Sequence, residues 1–342
     1  MTAISSTAKK TRPAKAASDT AKQEYFVGVD MGGTKILSGV FNSRLKCLGR
    51  SKMSTKAERG PEAVVERIAR CVQDAVDECD LSLKQIKAVG IGSPGSVDSE
   101  TGKVMFAGNL GWKDVALKKM LETQLGLPVF IENDCNICTL GVHEVELSGK
   151  PRDMVGIFLG TGIGGGLIID GKLHTGFNRM AGEVGHMVME INGPRCTCGN
   201  RGCWETLSSR TALFRVIQQA VKNGQKTVLT SMLGEELQDL RSGDLRKAIK
   251  QGDKFVAHVV EEAAFYTGVG VANLINLLSP EVVVLGGGLM DALENEMMPV
   301  VVKIAREQSF PGADKGVRII PSRLGDDAGI TGGAVLARRE TA

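Results

Sequence analysis

The fold is decided by residues 25–42, which read YFVGVDMGGTKILSGVFN. Two apolar runs flank a Gly-Gly-Thr turn, and this pattern predicts two strands joined as a hairpin. The same arrangement returns at residues 154–173, where MVGIFLGTG precedes GGLIIDGKL. Two copies of one supersecondary unit, about 130 residues apart, predict two related lobes.

Strand and helix patterns alternate along the rest of the chain, which indicates an α/β protein. Further strands are expected at LKCLGRSKM, KAVGIGSPG, PVFIEND, EVVVLGGG and VRIIP. Helices are expected over residues 61–80, 114–126, 206–225 and 254–278, after the EVVVLGGG strand, and from about residue 326.

Composition excludes several classes of protein. The net charge is +3, and residues 1–24 alone carry five basic and two acidic side chains, so the remainder is formally neutral. A nucleic-acid surface needs clustered Lys and Arg, so we expect no nucleic-acid partner. No apolar run approaches the ~20 residues of a membrane span, and no secretory signal is visible. The eight cysteines, three of them bunched, suit a reducing compartment, and we expect a cytoplasmic protein.

Residues 1–23 form a basic segment of Ala, Ser, Thr and Lys with little to bury, and we expect it to be disordered. A transit peptide stays open as an alternative, because the segment is basic and poor in acidic residues. Its weak amphipathic pattern speaks against that reading.

The hexapeptide DMGGTK, residues 30–35, is the first candidate phosphate loop. Glycine lets backbone N–H groups approach phosphate oxygens where a Cβ would block them. Thr34 adds a hydroxyl, Lys35 adds a possible cation, and Asp30 could hold Mg²⁺ directly or through water. A plain hairpin turn is the alternative. The candidate nucleotide-binding residues here are Asp30, Gly32, Gly33, Thr34 and Lys35.

Two more glycine clusters are candidates for the nucleotide site. The spacing in GTGIGGG, residues 160–166, superficially matches a dinucleotide-binding loop, but it leads into a strand rather than a helix, and we reject that reading. A second hairpin facing the first would clamp a phosphate chain from two sides. A nucleobase or ribose could approach the third cluster, although a helix-start turn explains it equally well. The residues are Gly160, Thr161, Gly162, Gly164, Gly286, Gly287 and Gly288.

A metal site is indicated by the pattern H-x9-C-x-C-x4-C, formed by His186, Cys196, Cys198 and Cys203. Four Cys and His ligands suit tetrahedral Zn²⁺, and a site with four protein ligands has no open position for substrate. The zinc would therefore be structural. Cys135 and Cys138 also have C-x-x-C spacing but lack a second pair, and we expect ordinary helix residues there.

These motifs together resemble the ROK family of sugar kinases and repressors, and its bacterial glucokinases in particular. The resemblance rests on DMGGTK, IENDCN at 131–136, LGTGIGGG at 159–166, AGEVGHM at 181–187 and CTCGNRGCWE at 196–205. It extends from residue 25 to the end. It implies an actin-like ATPase (ribonuclease H-like) fold with two lobes around a central cleft.

The resemblance also implies the lobe boundaries: a small lobe over 24–134, with the C-terminal helix 326–342 packing back on it, and a large lobe over 135–325. A zinc knuckle would span 186–205. ATP with Mg²⁺ would lie between the two hairpins, and a homodimer or homotetramer is expected.

Particular site residues follow from the resemblance as well. Asp134 matches the family's catalytic base, which would accept the proton of the attacking sugar hydroxyl. Helix capping is an alternative role for Asp134, compatible with the first. The residues that match sugar ligands are Asn109, Asn133, Asp134, Glu183, His186 and Glu205.

The implied activity is phosphorylation of the 6-hydroxyl of glucose by ATP, which would feed glycolysis. Kinases for N-acetylmannosamine, fructose or mannose remain alternatives, as do ADP or polyphosphate as the phosphate donor. A sugar-responsive repressor is less favoured, because only about 24 polar residues precede the first strand, too few for a DNA-binding winged helix.

Overall fold

A computed structural model describes residues 24–342 of the protein. The expected disordered tail, and its transit-peptide alternative, lie outside the described residues.

Three sheets organise the described chain. The first has the strand order β3-β2-β1-β4-β8 and the second β5-β6-β7, while the third has the order β11-β10-β9-β12-β13. The strands of the first two sheets are β1 Tyr25–Met31, β2 Lys35–Asn42, β3 Cys47–Ser54, β4 Ile86–Ser93, β5 Ser96–Asp98, β6 Lys103–Ala107, β7 Trp112–Val115 and β8 Val129–Asn133. The strands of the third are β9 Met154–Leu159, β10 Ile163–Ile169, β11 Lys172–Leu173, β12 Val282–Gly286 and β13 Arg318–Pro321.

The two five-stranded sheets share one topology. The central strand of each sheet, β1 or β9, pairs antiparallel with its hairpin partner, β2 or β10. On its other side it pairs parallel with β4 or β12. The strand at that edge of the sheet, β8 or β13, in turn pairs parallel with β4 or β12. The prediction of two related lobes in an α/β protein is confirmed.

Ten α-helices cover these sheets in the described chain. They are α1 Pro61–Asp77, α2 Leu117–Leu125, α3 Asp134–Gly141, α4 Glu205–Ser208, α5 Arg210–Lys222, α6 Val228–Leu233, α7 Ser242–Lys250, α8 Lys254–Leu278, α9 Gly288–Gln308 and α10 Ala328–Arg339. A π-helical turn, Val142–Glu146, continues α3. Between residues 24 and 342, no helix combines the length and the apolar character needed to cross a bilayer.

Local sequence explains where α1 lies. Pro61 occupies its first turn, where the missing N–H costs no hydrogen bond. Apolar side chains spaced three and four apart make one face, and Val64, Ile68 and Val72 are fully buried.

Three of the predicted helices differ from the structure, and the first of them, expected over 61–80, ends at Asp77. The helix expected over 114–126 begins only at Leu117, because residues 112–115 form β7 and pair with β6. The helix expected over 206–225 is interrupted at Ser209, whose backbone is extended. The Ser209 hydroxyl accepts a hydrogen bond from the Ala212 N–H at 3.2 Å and so starts α5 as a new helix.

Three apolar clusters form the core. One lies within the first lobe, around Val29 and Ile68, and one within the second, around Ile157 and Ile275. The third cluster joins the lobes, since it contains Phe26 from β1, Leu140 from α3 and Val284 from β12, all packed with α10 residues. The helices α3 and α10 therefore lie between the two sheets.

Glycine residues, which have no Cβ atom, make the close packing at this junction possible. A Cβ on Gly332 would lie 1.6 Å from the carbonyl oxygen of Ile137 in α3. A Cβ on Gly28 would lie 1.7 Å from the carbonyl oxygen of Ile330. The α10 backbone is thus in direct contact with α3 on one side and with β1 on the other. The lobe boundaries after residues 134 and 325 stay a prediction, although α10 does pack against β1 and β4.

Replacement of Gly332 by Ala should reduce the free energy of unfolding by about 1–3 kcal/mol or more, because the methyl group must push two helices apart. Gly243 in α7 is a matched control, since a Cβ there would meet nothing within 4 Å. Gly243→Ala should leave stability unchanged or raise it by up to about 1 kcal/mol. Urea unfolding of the three proteins measures this, and equal stability of Gly332→Ala and wild type would contradict the packing described.

Candidate active site

Asp30 and Asp134 approach each other at the junction of the two lobes. Asp30 lies near the end of β1, and Asp134 is the first residue of α3. Each is partly buried, and the negative charge of Asp30 raises the pKa of Asp134. Glu183, on the far side of the cleft, also acts on Asp134, so the structure brings these three predicted residues together.

Helix capping at this point is done by Asn133. Its Oδ1 accepts hydrogen bonds from the N–H groups of Cys135 and Asn136, at 2.9 and 3.1 Å. Its Nδ2 donates to the carbonyl oxygen of Gly95 at 3.2 Å, which leaves one amide hydrogen available. The capping role considered for Asp134 is therefore wrong. Asp134 accepts one hydrogen bond, from the Cys135 N–H at 2.9 Å, and its second oxygen is available to a ligand.

The environment of these carboxyl groups favours their protonated forms. Burial raises the pKa of Asp134 to about 7, and repulsion from Asp30 adds to the shift. Burial likewise raises the pKa of Asp30 to about 6, with Lys35 opposing and Asp326 adding to the shift. Asp134 can therefore both hold and release a proton near neutral pH, as a general base requires.

The carboxylate oxygens of Asp30 fit a magnesium ion. Oxygen is the ligand atom that Mg²⁺ prefers, and Mg²⁺ usually binds through one or two carboxylates together with phosphates and water. The charge of Asp326 acts on Asp30, and the charge of Asp30 acts on Asp134. A divalent cation would relieve the repulsion among them.

A buried glutamate that the sequence analysis did not single out supports this corner. Glu132 is 5% exposed, and its Oε1 accepts hydrogen bonds from the Asn133 N–H at 2.7 Å and from Asn136 Nδ2 at 3.0 Å. Burial raises its pKa, and these hydrogen bonds oppose the rise. The position of Glu132 within the IENDCN motif is the sequence feature that could have identified it.

The first hairpin loop is closed by a hydrogen bond from the Gly32 N–H to the Lys35 carbonyl, at 2.8 Å. Asn109 lies beside Gly33, since a Cβ on that glycine would meet Asn109 Nδ2 at 3.4 Å. Thr34 lies at the exposed tip of the loop. The Nζ of Lys35 lies 2.8 Å from Asp326 Oδ2, in an ion pair, and its role in binding phosphate stays a prediction.

The second hairpin loop has a glutamate seated on it. The Gly160 N–H donates to the Gly162 carbonyl at 2.9 Å, and Glu205 Oε2 accepts from the Ile163 N–H at 3.0 Å. A Cβ on Gly162 would lie 2.1 Å from that same oxygen, so only glycine allows this contact. Gly164 in turn lies against the Cys135 thiol of α3. Glu205 is thus held at the loop, with one carboxylate oxygen still available.

The third glycine cluster is the turn between β12 and α9. Gly287 has a φ of 90°, and Gly288 is the first residue of α9. A Cβ on Gly287 would lie 2.6 Å from the Leu159 carbonyl, just before the second hairpin loop. The helix-start reading therefore describes these residues correctly. They adjoin the second loop, which is compatible with a nucleotide role.

The four predicted zinc ligands converge. Their ligand atoms all lie within 4.8 Å of one another. Cys196 Sγ lies 3.6 Å from His186 Nδ1, and Cys198 Sγ lies 3.6 Å from Cys203 Sγ. These separations are close to the edge of a tetrahedron with Zn–S bonds of ~2.3 Å, which is about 3.8 Å. The donor set and its spacing fit zinc.

His186 connects this cluster with the cleft. Residues Val184–His186 form a short 3-10 turn, and Glu183 precedes it. The Nδ1 atom of His186 points to the cysteines, while its Nε2 atom lies 4.0 Å from Glu183 Oε2. Glu183 and His186 therefore share one face of a turn, as expected from their spacing.

Two arginines near the cleft were missed by the sequence analysis. Arg179, in the left-handed region with a φ of 62°, pairs with Glu100 Oε1 at 2.5 Å and thereby links the loops of opposite lobes. Arg210, the first residue of α5, donates to the Thr161 hydroxyl. Neither lies in a phosphate or metal motif, so only the tertiary structure reveals them.

Known proteins match both the sequence and the fold. Residues 26–340 match the ROK family. A glucokinase of Thermotoga maritima is 35% identical, over 91% of this chain and 96% of that protein. A xylose repressor of Caldicellulosiruptor bescii is 31% identical, over 90% of this chain and 76% of that protein.

Among solved structures, a ROK family glucokinase from Streptomyces griseus in complex with glucose and AMPPNP has a TM-score of 0.81 and 33% identity. The match covers 92% of this chain and 99% of that one. The actin-like two-lobed fold is confirmed. The family match extends over nearly all the described residues and includes every motif discussed above, so the chain belongs to the ROK family.

Proposed function

We propose that the protein is a glucokinase, which transfers the γ-phosphoryl group of ATP to the 6-hydroxyl of glucose. The observation that carries the proposal is Asp134, a partly buried carboxyl group at the lobe junction with a pKa of about 7 and one oxygen free of protein hydrogen bonds. Similarity to glucokinases supports the choice of substrates, including the structure with glucose and AMPPNP, an ATP analogue. Identity to xylose repressors is lower.

The sugar would be held by polar groups from both lobes. Asn109 and Asn133 come from the first lobe, and Glu183, His186 and Glu205 come from the second. Such groups match sugar hydroxyls as donors and acceptors, and their placement on two lobes favours closure around the sugar.

Asp134 would act as the general base. The sugar O6 attacks the γ-phosphorus while its proton passes to the free oxygen of Asp134, and the bond between the γ-phosphorus and the bridging oxygen breaks to release ADP. Asn133 holds the start of α3 by capping it, and Glu132 holds Asn133. This support fixes the base in position.

The nucleotide would lie between the hairpin loops, with backbone N–H groups of residues 33–34 and 161–162 facing its phosphates. Asp30 would hold Mg²⁺, which when bound supplies positive charge to the transferring phosphoryl group. His186, Cys196, Cys198 and Cys203 would hold a structural Zn²⁺, which keeps the His186 ring oriented toward the cleft. Cytoplasmic location suits the eight unpaired cysteines. The homodimer or homotetramer stays a prediction.

A coupled assay should find ATP-dependent phosphorylation of glucose, faster than that of mannose, fructose or N-acetylmannosamine, with ADP and polyphosphate as comparison donors. Asp134→Asn keeps the shape of the side chain but removes its basicity, and should lower turnover by ~10²–10⁴. Asp239→Asn, at an exposed position, is the matched control and should keep wild-type turnover. Near-normal turnover of folded Asp134→Asn would refute the assignment of the base.

The raised pKa of Asp134 also predicts a pH effect on stability in ligand-free protein. The folded state holds this proton more tightly than the unfolded chain does, so stability falls as pH rises through about 7. The Asp134→Asn variant has no carboxyl group to ionise here and so does not lose this stability as the pH rises. Its free energy of unfolding should therefore increase relative to wild type between pH 5 and pH 8.

Denaturant titrations at four pH values, without nucleotide, sugar or Mg²⁺, measure this difference. Asp98→Asn is the control, since the Thr101 hydroxyl helps to lower the pKa of Asp98, which stays ionised across this range. Its stability relative to wild type should be constant between pH 5 and pH 8. A constant difference for Asp134→Asn as well would contradict the raised pKa.

Elemental analysis of purified protein should find about one zinc ion per chain. Cys198→Ser should lose the zinc and, with it, both stability and affinity for glucose, because His186 then loses its anchor. Cys79→Ser, outside the cluster, should retain the metal. Zinc-free wild-type protein with full activity and stability would show that the cluster is not a metal site.

A further inference from the structure

The cleft holds an excess of negative charge for a protein that would bind a polyphosphate. The charges of Asp30 and Glu183 both act on Asp134 there, and Glu205 lies on the second hairpin loop. The lysine of the first loop is already paired with Asp326. A nucleoside triphosphate brings several more negative charges. Besides a metal ion, the site therefore needs a positive group from the protein.

Arg210 lies where such a group is needed. Its backbone N–H donates to the Gly160 carbonyl at 3.0 Å, and its guanidinium donates to the Thr161 hydroxyl. The next residue, Thr211, donates through its hydroxyl to the Thr161 carbonyl at 2.7 Å. Three contacts thus fasten the start of α5 to the second hairpin loop, and they set the guanidinium at the tip of that loop.

The guanidinium has capacity left for a ligand. Arginine carries five N–H donors, and Thr161 takes one of them. Within residues 24–342, no carboxylate forms a salt bridge with Arg210, whereas Lys35 is neutralised by Asp326. The planar fork of a guanidinium also matches two oxygens of one phosphate group.

We propose that Arg210 is a phosphate-binding residue for the nucleotide, in addition to the glycine loops. It would supply positive charge from the second lobe, whereas Lys35 of the first lobe is already paired with Asp326. The identity of the ligand as ATP rests on the proposed function, whereas the assignment of Arg210 to an anionic phosphate chain rests on the contacts above.

The alternative is that Arg210 only braces Thr161, and three substitutions separate the two roles. Arg210→Gln keeps a hydrogen-bond donor but removes the charge. Arg210→Lys keeps the charge but loses the fork. Arg246→Gln makes the same charge change at an exposed position of α7 and is the control.

Calorimetric titrations of the full chain with adenosine, AMP, ADP and ATP, in the presence of Mg²⁺, give the test. A charge-assisted contact predicts a loss of ATP affinity of about 10- to 100-fold in Arg210→Gln and a smaller loss in Arg210→Lys. Adenosine and glucose affinities should be unchanged. Added NaCl should weaken ATP binding more in wild type than in Arg210→Gln.

Each other outcome overturns a stated claim. Equal losses for adenosine and ATP would make Arg210 a brace of the loop, and wild-type ATP affinity in Arg210→Gln would exclude any role in binding. Suppose that Arg210→Gln binds ATP more weakly than wild type does, but that wild type phosphorylates no hexose. The proposed function then fails and the assignment of Arg210 stands. If wild type does not bind ATP, both fail.

Discussion

The contact of the α10 backbone with its neighbours is the constraint on which the rest of the structure depends. Glycines remove the Cβ atoms that would separate this helix from β1 and α3, and the carbonyl oxygens of Ile330 and Ile137 occupy the space. A side chain at Gly332 would push against backbone, which cannot move aside as a side-chain tip can. The helix therefore joins the two lobes through main-chain contacts as well as through its side chains in the third apolar cluster.

This junction also positions the candidate chemistry. Gly329, in the first turn of α10, lies directly against Asp30, since a Cβ there would be 2.7 Å from the Asp30 Cβ. Residues of α3 contact the same helix, and α3 begins with Asp134. One helix is thus in contact both with Asp30 at the end of β1 and with the helix that Asp134 begins. A change in the packing of α10 would consequently also change the relative positions of Asp30 and Asp134 in the cleft.

The sequence was informative where function depends on local pattern. Hairpins, glycine loops and the Cys-His spacing are short-range signals, so the duplicated sheets and the convergence of His186 with three cysteines could be predicted. It was uninformative where partners are distant in the chain. Lys35 pairs with Asp326 across almost 300 residues, and the three-stranded sheet β5–β7 has strands too short to carry a clear alternation. The identity of the helix cap, Asn133 rather than Asp134, depends on a one-residue difference in backbone conformation that no local rule fixes.

The ionisation of Asp134 depends on the charge of its neighbour Asp30. Repulsion from Asp30 is one of the causes that raise its pKa, so anything that neutralises Asp30 makes Asp134 more acidic. With a pKa of about 7, Asp134 ionises near neutral pH, and a cation beside Asp30 would lower that pKa. A cleft loaded with a metal–nucleotide complex would then contain an ionised Asp134, ready to accept the proton of a hydroxyl. An empty cleft would contain a carboxyl group that is partly protonated and less able to act as a base. The crowding of carboxyl groups, unfavourable for the empty protein, would in this way link the activation of the base to the arrival of the phosphate donor.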